Sequence, residues 1–321
     1  MAQEPFSVQV ATPQWHARAR AWIEDALAVH DLTISGPVEQ PRIRPWSTQL
    51  TIPTDRGRVW FKATCPSMAF EPALQREMAR LVPGSVQDPL AVEAEQGWML
   101  TLDDGPTLGD ERTPTLEDWR RALDEAARVQ RALAGHRDEL LATGLPDAGP
   151  ETVVARFDRL LEIHEQSPAD QGGRVPPDRI TELRARRPEL VDACARLVES
   201  PVPSTWQHGD LHPWNLHGHD DRISFFDLGD GMWAHAVEVL SVPYGVVTGE
   251  GSVPWSEVVT AWTEAWEVEP DEFEELWRAS GFTHAVNRAV TWHRALLTAT
   301  AAEIGEWGAA VDHHLTSMLD A

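Results

Sequence analysis

Residues 207–217 read Gln207-His208-Gly209-Asp210-Leu211-His212-Pro213-Trp214-Asn215-Leu216-His217, and residues 223–230 read Ile223-Ser224-Phe225-Phe226-Asp227-Leu228-Gly229-Asp230. Between them, Gly218-His219-Asp220-Asp221 carries turn chemistry, so 215–217 and 222–226 are expected to pair as a tight hairpin. That pairing sets Asn215 nearly opposite Asp227. An amide oxygen and a carboxylate on adjacent strands suit a hard cation such as Mg2+. Asp210, upstream on the same loop, is placed to accept a proton from a hydroxyl. A histidine, an aspartate two residues on, an asparagine five further, and then a strand ending in aspartate is a layout that serves phosphoryl transfer.

Upstream of this stretch, one of the 27 basic residues is a lysine, Lys62, and the rest are arginine. A lone lysine in an arginine-using sequence suggests a chemical need for a compact point charge. Lys62 lies in the second of two strand-like runs, 48–53 and 58–64, joined by Thr54-Asp55-Arg56-Gly57, which reads as a hairpin. On the second run Val59, Phe61 and Ala63 face one side, and Trp60, Lys62 and Thr64 the other. A helix is expected over about 72–82, opened by Pro72. Its inward stripe is read as Leu74, Met78 and Leu81, with Glu77 on it. Lys62 is therefore paired with Glu77 in this reading, in preference to Glu71, which precedes Pro72. The ammonium can then grip the α- and β-phosphates of a nucleotide. Residues 97–102 read as a short buried strand, followed by the turn Asp103-Asp104-Gly105.

The remaining pattern divides the chain into an N-terminal helical extension (1–30), a small β-rich lobe (31–104) and a helical lobe (105–321). The extension holds a helix over 12–30, capped by Thr12 with Pro13 at its first position. Helices are expected at about 115–135, 152–166, 178–199, 254–267, 270–280, 282–299 and 300–319. Residues 33–47 read as irregular and 168–177 as a loop. The only non-helical patch of the second lobe is 203–232, and the helices after 254 are expected to wall an acceptor pocket.

On these residues the chain resembles the aminoglycoside phosphotransferase family, kinase-like enzymes that also include choline, homoserine and methylthioribose kinases. The resemblance rests on His208-Gly209-Asp210-Leu211-His212-Pro213-Trp214-Asn215 and Ile223–Asp227, supported by Trp60-Phe61-Lys62, the helix with Glu77, and 97–105. It implies an α+β, two-lobe protein-kinase-like fold with a β-rich N-lobe and a mostly helical C-lobe. It further implies Asp210 as catalytic base, Asn215 and Asp227 as Mg2+ ligands, Lys62 and Glu77 as the phosphate-anchoring pair, and the backbone near Thr101, Leu102 and Asp103 as the purine hinge. The donor is ATP or GTP, and the acceptor a hydroxyl of a small molecule. The family's pattern often has a small residue where Trp214 stands and a Trp where Leu228 stands. The glycine-rich phosphate loop of protein kinases is absent, and Ser47 and Thr48 are the candidate phosphate contacts in its place. No segment ending in A-P-E follows Asp227, which disfavours a peptide acceptor.

Candidate acceptor contacts are Asp230 and Glu238, as carboxylates for a cationic molecule such as an aminoglycoside, with His212 and Trp214 beside them. Asp230 as a helix cap is an equal reading. Trp233, Trp262, Trp266, Trp277 and Trp292 read mostly as core. The histidines at 208, 212, 217 and 219 are a weak zinc signal by spacing alone; His217 and His219 read as solvated turn residues and His208 as a structural hydrogen-bond partner. A metal-dependent phosphohydrolase is the alternative that Gly-Asp-x-His also allows, but its companion D-x-H and G-N-H segments are missing. A catalytically inactive kinase-like binding protein is the other alternative, and it predicts loss of Lys62, Asp210, Asn215 or Asp227; all four are present.

The net charge of −24 disfavours nucleic-acid and membrane-surface partners. Cys65 and Cys194 build no disulfide framework, and no run reaches the length of a spanning helix. A cytoplasmic location is the expectation. Antibiotic resistance is one expected role among metabolic and biosynthetic ones.

Overall fold

The computed structural model of the chain describes residues 4–168, 171–219 and 222–320. Asp220 and Asp221 of the hairpin turn, and Ala169 and Asp170 of the expected loop, lie outside the described residues.

Five antiparallel strands make the first lobe: β1 (Glu39–Ile43), β2 (Ser47–Thr54), β3 (Gly57–Thr64), β4 (Ala91–Glu93) and β5 (Trp98–Leu102), in the order β1-β2-β3-β5-β4. The β2–β3 hairpin closes at Thr54 opposite Gly57, as its turn residues imply. β1 falls in the segment expected to be irregular. It carries Pro41, and a proline is tolerated there because β1 is an edge strand whose missing N–H breaks no inner ladder.

Alternation along β3 gives the sheet two different faces. Val59 and Phe61 are buried on one, where Phe61 meets Trp15, Trp22 and Trp98 edge-on at 5.6–6.0 Å between ring centroids. Trp15 and Trp22 belong to the helix Pro13–Ala28, whose stripe Trp15, Ala19, Ile23 and Leu27 is buried. Thr12 caps this helix by accepting the Trp15 N–H at 3.2 Å. The opposite face carries Trp60, Lys62 and Thr64 toward the cleft.

The second lobe is mostly helical. Its central element is one continuous helix, Pro270–Ala295, packed on Pro150–Gln166, Arg187–Val198 and Ala310–Ser317. The expected break at Gly281 does not occur. A single glycine costs a helix only about 1 kcal/mol, and burial of the flanking Ala279, Phe282 and Ala285 outweighs it. The expected helix 178–199 is instead two, Pro177–Ala185 and Arg187–Val198. Pro188 has no N–H to continue the first helix and sits in the opening turn of the second. The expected helices 254–267 and 300–319 are likewise each two shorter ones.

Between these helices lie four short strands: β6 (Ser204–Gln207) paired with β9 (Met232–His235), and β7 (Leu216–His219) paired with β8 (Arg222–Phe225). The β7–β8 register sets Leu216 opposite Phe225. One hydrophobic core runs through both lobes. Trp46 of the β1–β2 turn also meets Trp292 and Trp307 of the helical lobe edge-on, at 5.4 and 5.3 Å.

Candidate active site

The chain from Gln207 to Asp210 can turn sharply because residue 209 is glycine. Its φ is +79°, and a Cβ there would lie 2.1 Å from the Asp230 carbonyl oxygen. His208 is fully buried. Its Nδ1 accepts the Asp210 N–H at 3.3 Å while its Nε2 donates to the Phe226 carbonyl at 3.0 Å. Burial holds His208 below its ordinary pKa, so the ring is neutral and the two bonds fix its tautomer. It thus ties the loop carrying Asp210 to the residue before Asp227, the structural part read for it from the sequence.

Asp210 sits at the centre of a hydrogen-bonded cluster. The Asn215 Nδ2 donates to its carbonyl at 2.9 Å and to its Oδ2 at 3.4 Å, and the His212 Nε2 lies 3.3 Å from the same Oδ2. The Arg288 Nη2 stands 3.8 Å from Oδ1. Burial alone would raise the Asp210 pKa, but the His212 contact and the Arg288 charge outweigh it and bring it down to about 2. The carboxylate is therefore ionised at any physiological pH, and His212 is held above its usual pKa by it, against the effect of burial.

Lys62 crosses the cleft from β3. Its ammonium donates to Glu71 Oε1 at 2.6 Å and to Asp227 Oδ1 at 2.5 Å. Burial works to lower the Lys62 pKa, yet Asp227 and Glu71 together push it up to about 12. The expected partner, Glu77, is not the one used. The helix begins at Glu71, and its buried stripe is Glu71, Leu74, Gln75 and Met78, at helical spacing. Glu77 lies one residue off that stripe and pairs with Arg80 instead. Asp227 adopts the left-handed region, φ +58°, which turns its carboxylate back toward Lys62.

Two cavities meet at Lys62 and Asp227. The first, about 330 Å³, brings together the expected Ser47, Asp210, His212, Trp214, Asn215 and Asp230. Trp292, read from the sequence mostly as core, lines it as well, as do Arg42, Trp46 and Arg288, which carry no sequence signal for this wall. Arg288 and Trp292 come from the helix Pro270–Ala295, within the segment expected to wall the acceptor pocket. The second cavity, about 480 Å³, is flanked by Trp60, Met99, Thr101, Leu102, Asp103 and Phe226. At its rim the Leu102 carbonyl accepts from Gln87 Nε2 at 2.9 Å, and the Asp103 N–H donates to the Arg58 carbonyl at 3.1 Å.

Two other expected contacts lie outside both cavities. The Thr48 hydroxyl donates to the Arg42 carbonyl and accepts from Gln40 Nε2, each at 2.8 Å, so it holds β1 to β2 rather than facing the cleft. Glu238 is not at the cavity mouth. It is buried in the second lobe, where Thr283 Oγ1 donates to it at 2.7 Å and Asn287 Nδ2 at 3.0 Å. Burial pushes its carboxyl up to about 7. Asp230 does line the cavity, but its Oδ1 is already 3.1 Å from Arg288 Nη1. Burial pushes Asp230 up to about 6, with Arg288 opposing and Asp210 and Asp227 adding to the rise.

Donor chemistry around Asp227 and Asn215 fits a hard divalent cation. A carboxylate and an amide are oxygen ligands of the type Mg2+ takes, and both residues line the same cavity as Asp210.

No helix among the described residues is long and apolar enough to cross a membrane. No curated protein matches the chain by sequence. Among solved structures, the ethanolamine kinase of Plasmodium vivax superposes with a TM-score of 0.63 at 12% identity, covering 93% of this chain and 86% of that one. A macrolide 2'-phosphotransferase type I gives 0.58 at 16% identity, covering 91% and 96%. The GDP and kanamycin complex of APH(2")-IIia gives 0.59 at 13% identity, covering 94% and 99%. At these identities the likeness speaks for the fold, which is the two-lobe, kinase-like α+β fold. The model of the phosphotransferase enzyme family matches residues 58–276, a stretch that runs from β3 with Lys62 through Asp210, Asn215 and Asp227, and the chain belongs to that family.

Proposed function

We propose that the chain is a small-molecule kinase that moves the γ-phosphoryl group of ATP or GTP to a hydroxyl. The observation that carries this reading is the position of Lys62, at the junction of two cavities, with Asp227 on its ammonium and Asp210 in the wall of the smaller one. The larger cavity suits a nucleoside, with Trp60, Met99 and Phe226 as its apolar walls and the backbone of Thr101, Leu102 and Asp103 at its rim. The phosphates would then lie toward Lys62 and Ser47. The smaller cavity would take the acceptor.

Asp210 would orient the acceptor hydroxyl and accept its proton as the oxygen attacks the γ-phosphorus and the bond to the β-phosphate bridging oxygen breaks. With a pKa near 2 Asp210 is a weak base, so its part is chiefly orientation, with the proton leaving late. Lys62 would neutralise charge on the phosphates, and Glu71 would hold Lys62 in place. Asn215 and Asp227 would hold Mg2+, which supplies charge neutralisation of the phosphates. Arg42, which lines the same wall and helps keep Asp227 ionised, offers a second cation where the glycine-rich loop is missing.

The test is transfer of labelled γ-phosphoryl from ATP and GTP into a pooled panel of hydroxyl compounds. Asp210→Asn is expected to keep nucleotide binding and lose turnover by about a thousandfold or more, the scale of proton transfer and orientation together. Turnover unchanged in Asp210→Asn removes the base assignment. A chain that binds no nucleotide sinks the kinase reading and returns the phosphohydrolase to consideration.

A further inference from the structure

The chain carries a net charge of −24, yet the wall of the smaller cavity sets three cations, Arg42, Lys62 and Arg288, among its four carboxylates, with His212 beside them. Among the described residues, each carboxylate lining it has a basic partner in the same wall. Glu71 and Asp227 share Lys62, Asp210 lies beside His212 and Arg288, and Asp230 is 3.1 Å from Arg288. Arg42 adds one more guanidinium. A polyamine entering this space would bring further ammonium groups beside Lys62, Arg42 and Arg288, and would find every carboxylate of the wall already in contact with a basic side chain.

The same wall carries three indole rings. Trp46, Trp214 and Trp292 line it. Trp214 is 46% exposed although it is a large apolar ring on the catalytic loop. Its position is fixed from behind by Gly109: a Cβ at 109 would come within 2.7 Å of the indole, so only glycine lets the two elements lie this close. The indole is thus backed closely by Gly109 and remains about half exposed, two residues from His212 and in the same cavity as Asp210.

We propose that the acceptor is an uncharged hydroxyl compound with a flat ring face that stacks on Trp214, and not a polyamine. The inference rests on the phosphotransferase reading only for the word acceptor; the binding it describes is measurable without turnover. The full chain, with Mg2+ and a non-hydrolysable nucleotide present, is titrated calorimetrically with aryl glucosides and aryl galactosides. Each is set against its 2-amino-2-deoxy counterpart, with kanamycin as the polycationic probe.

Neutral aryl glycosides are expected to bind at least tenfold tighter than their amino counterparts. Trp214→Ala is expected to weaken them about tenfold and Trp214→Phe to restore most of the loss, while nucleotide affinity stays the same in both variants. Equal or tighter binding of the amines, through the ring face or otherwise, overturns the proposal. So does saturable binding of kanamycin, absence of binding by every neutral ring compound, or binding indifferent to Trp214. Failure of the kinase reading has a separate sign: neutral ring compounds bind through Trp214 but receive no phosphoryl group in an Asp210-dependent way.

Discussion

Lys62 meets Glu71 at 2.6 Å and Asp227 at 2.5 Å inside a buried site, and the arrangement only makes sense as a trio. A lysine taken out of water without partners would lose its charge; with two carboxylates it stays protonated. Among the described residues, Glu71 Oε2 has no hydrogen-bond partner, so Lys62 is the group that sustains the burial of this carboxylate. Replacing Glu71 with Gln is therefore expected to lower kcat at least tenfold, because Lys62 loses one of the two carboxylates that hold its ammonium in place. Glu77→Gln, which disturbs only an exposed pair with Arg80, is expected to leave kcat within about twofold. Steady-state rates of the two variants decide between the glutamates, and equal effects would refute the assignment. Lys62→Ala is expected to cut turnover by about a hundredfold or more while the circular dichroism spectrum is unchanged; normal kinetics would remove Lys62 from the mechanism.

At the scale of elements, the loop 207–210 and the strand pair β7–β8 act as one unit. His208 bridges them, and Gly209 lets the Asp230 carbonyl pass at close range. Gly209→Ala would need both a left-handed alanine and the displacement of backbone at 2.1 Å. It is expected to cost about 3 kcal/mol or more and to abolish turnover, measured as the shift of a denaturation midpoint against the wild type. A midpoint within experimental scatter would mean the loop is not held as described. Asn215→Ala acts on the same unit from the other side and is expected to raise the Mg2+ concentration needed for half-maximal turnover; an unaltered titration would count against the metal site.

Across the whole molecule, the helix Pro270–Ala295 delivers Arg288, Thr291 and Trp292 to the cavity and is itself anchored by Glu238. The anchor is pH-dependent. The folded-state pKa of Glu238, about 7, lies above its ordinary 4.5, so the folded state favours the protonated form. Its contribution is complete below about pH 4.5 and is lost as pH rises through 7, a change of about 3 kcal/mol. The wild-type melting temperature is thus expected to gain a downward slope from this group between pH 5 and 8. Glu238→Gln keeps an oxygen for Thr283 and Asn287 and is expected to flatten that slope. Parallel profiles for the two proteins would mean Glu238 does not carry it.

The sequence by itself determined the loop that carries Asp210, the hairpin that follows it, the lone lysine on its strand and the two-lobe order. All of these are local: they depend on residue types at fixed spacing, on turn chemistry and on the period of apolar residues, which the chain expresses without reference to its distant parts. Tertiary structure alone decided what spacing cannot encode. It chose Glu71 over Glu77, since the choice turns on where the helix starts and which stripe the core buries. It took Glu238 and Thr48 away from the cleft by giving their polar atoms partners elsewhere. It brought Arg42, Trp46, Arg288 and Trp292 into the wall, because a pocket is made where elements remote in sequence converge, and its charge and shape belong to that convergence rather than to any one stretch of residues.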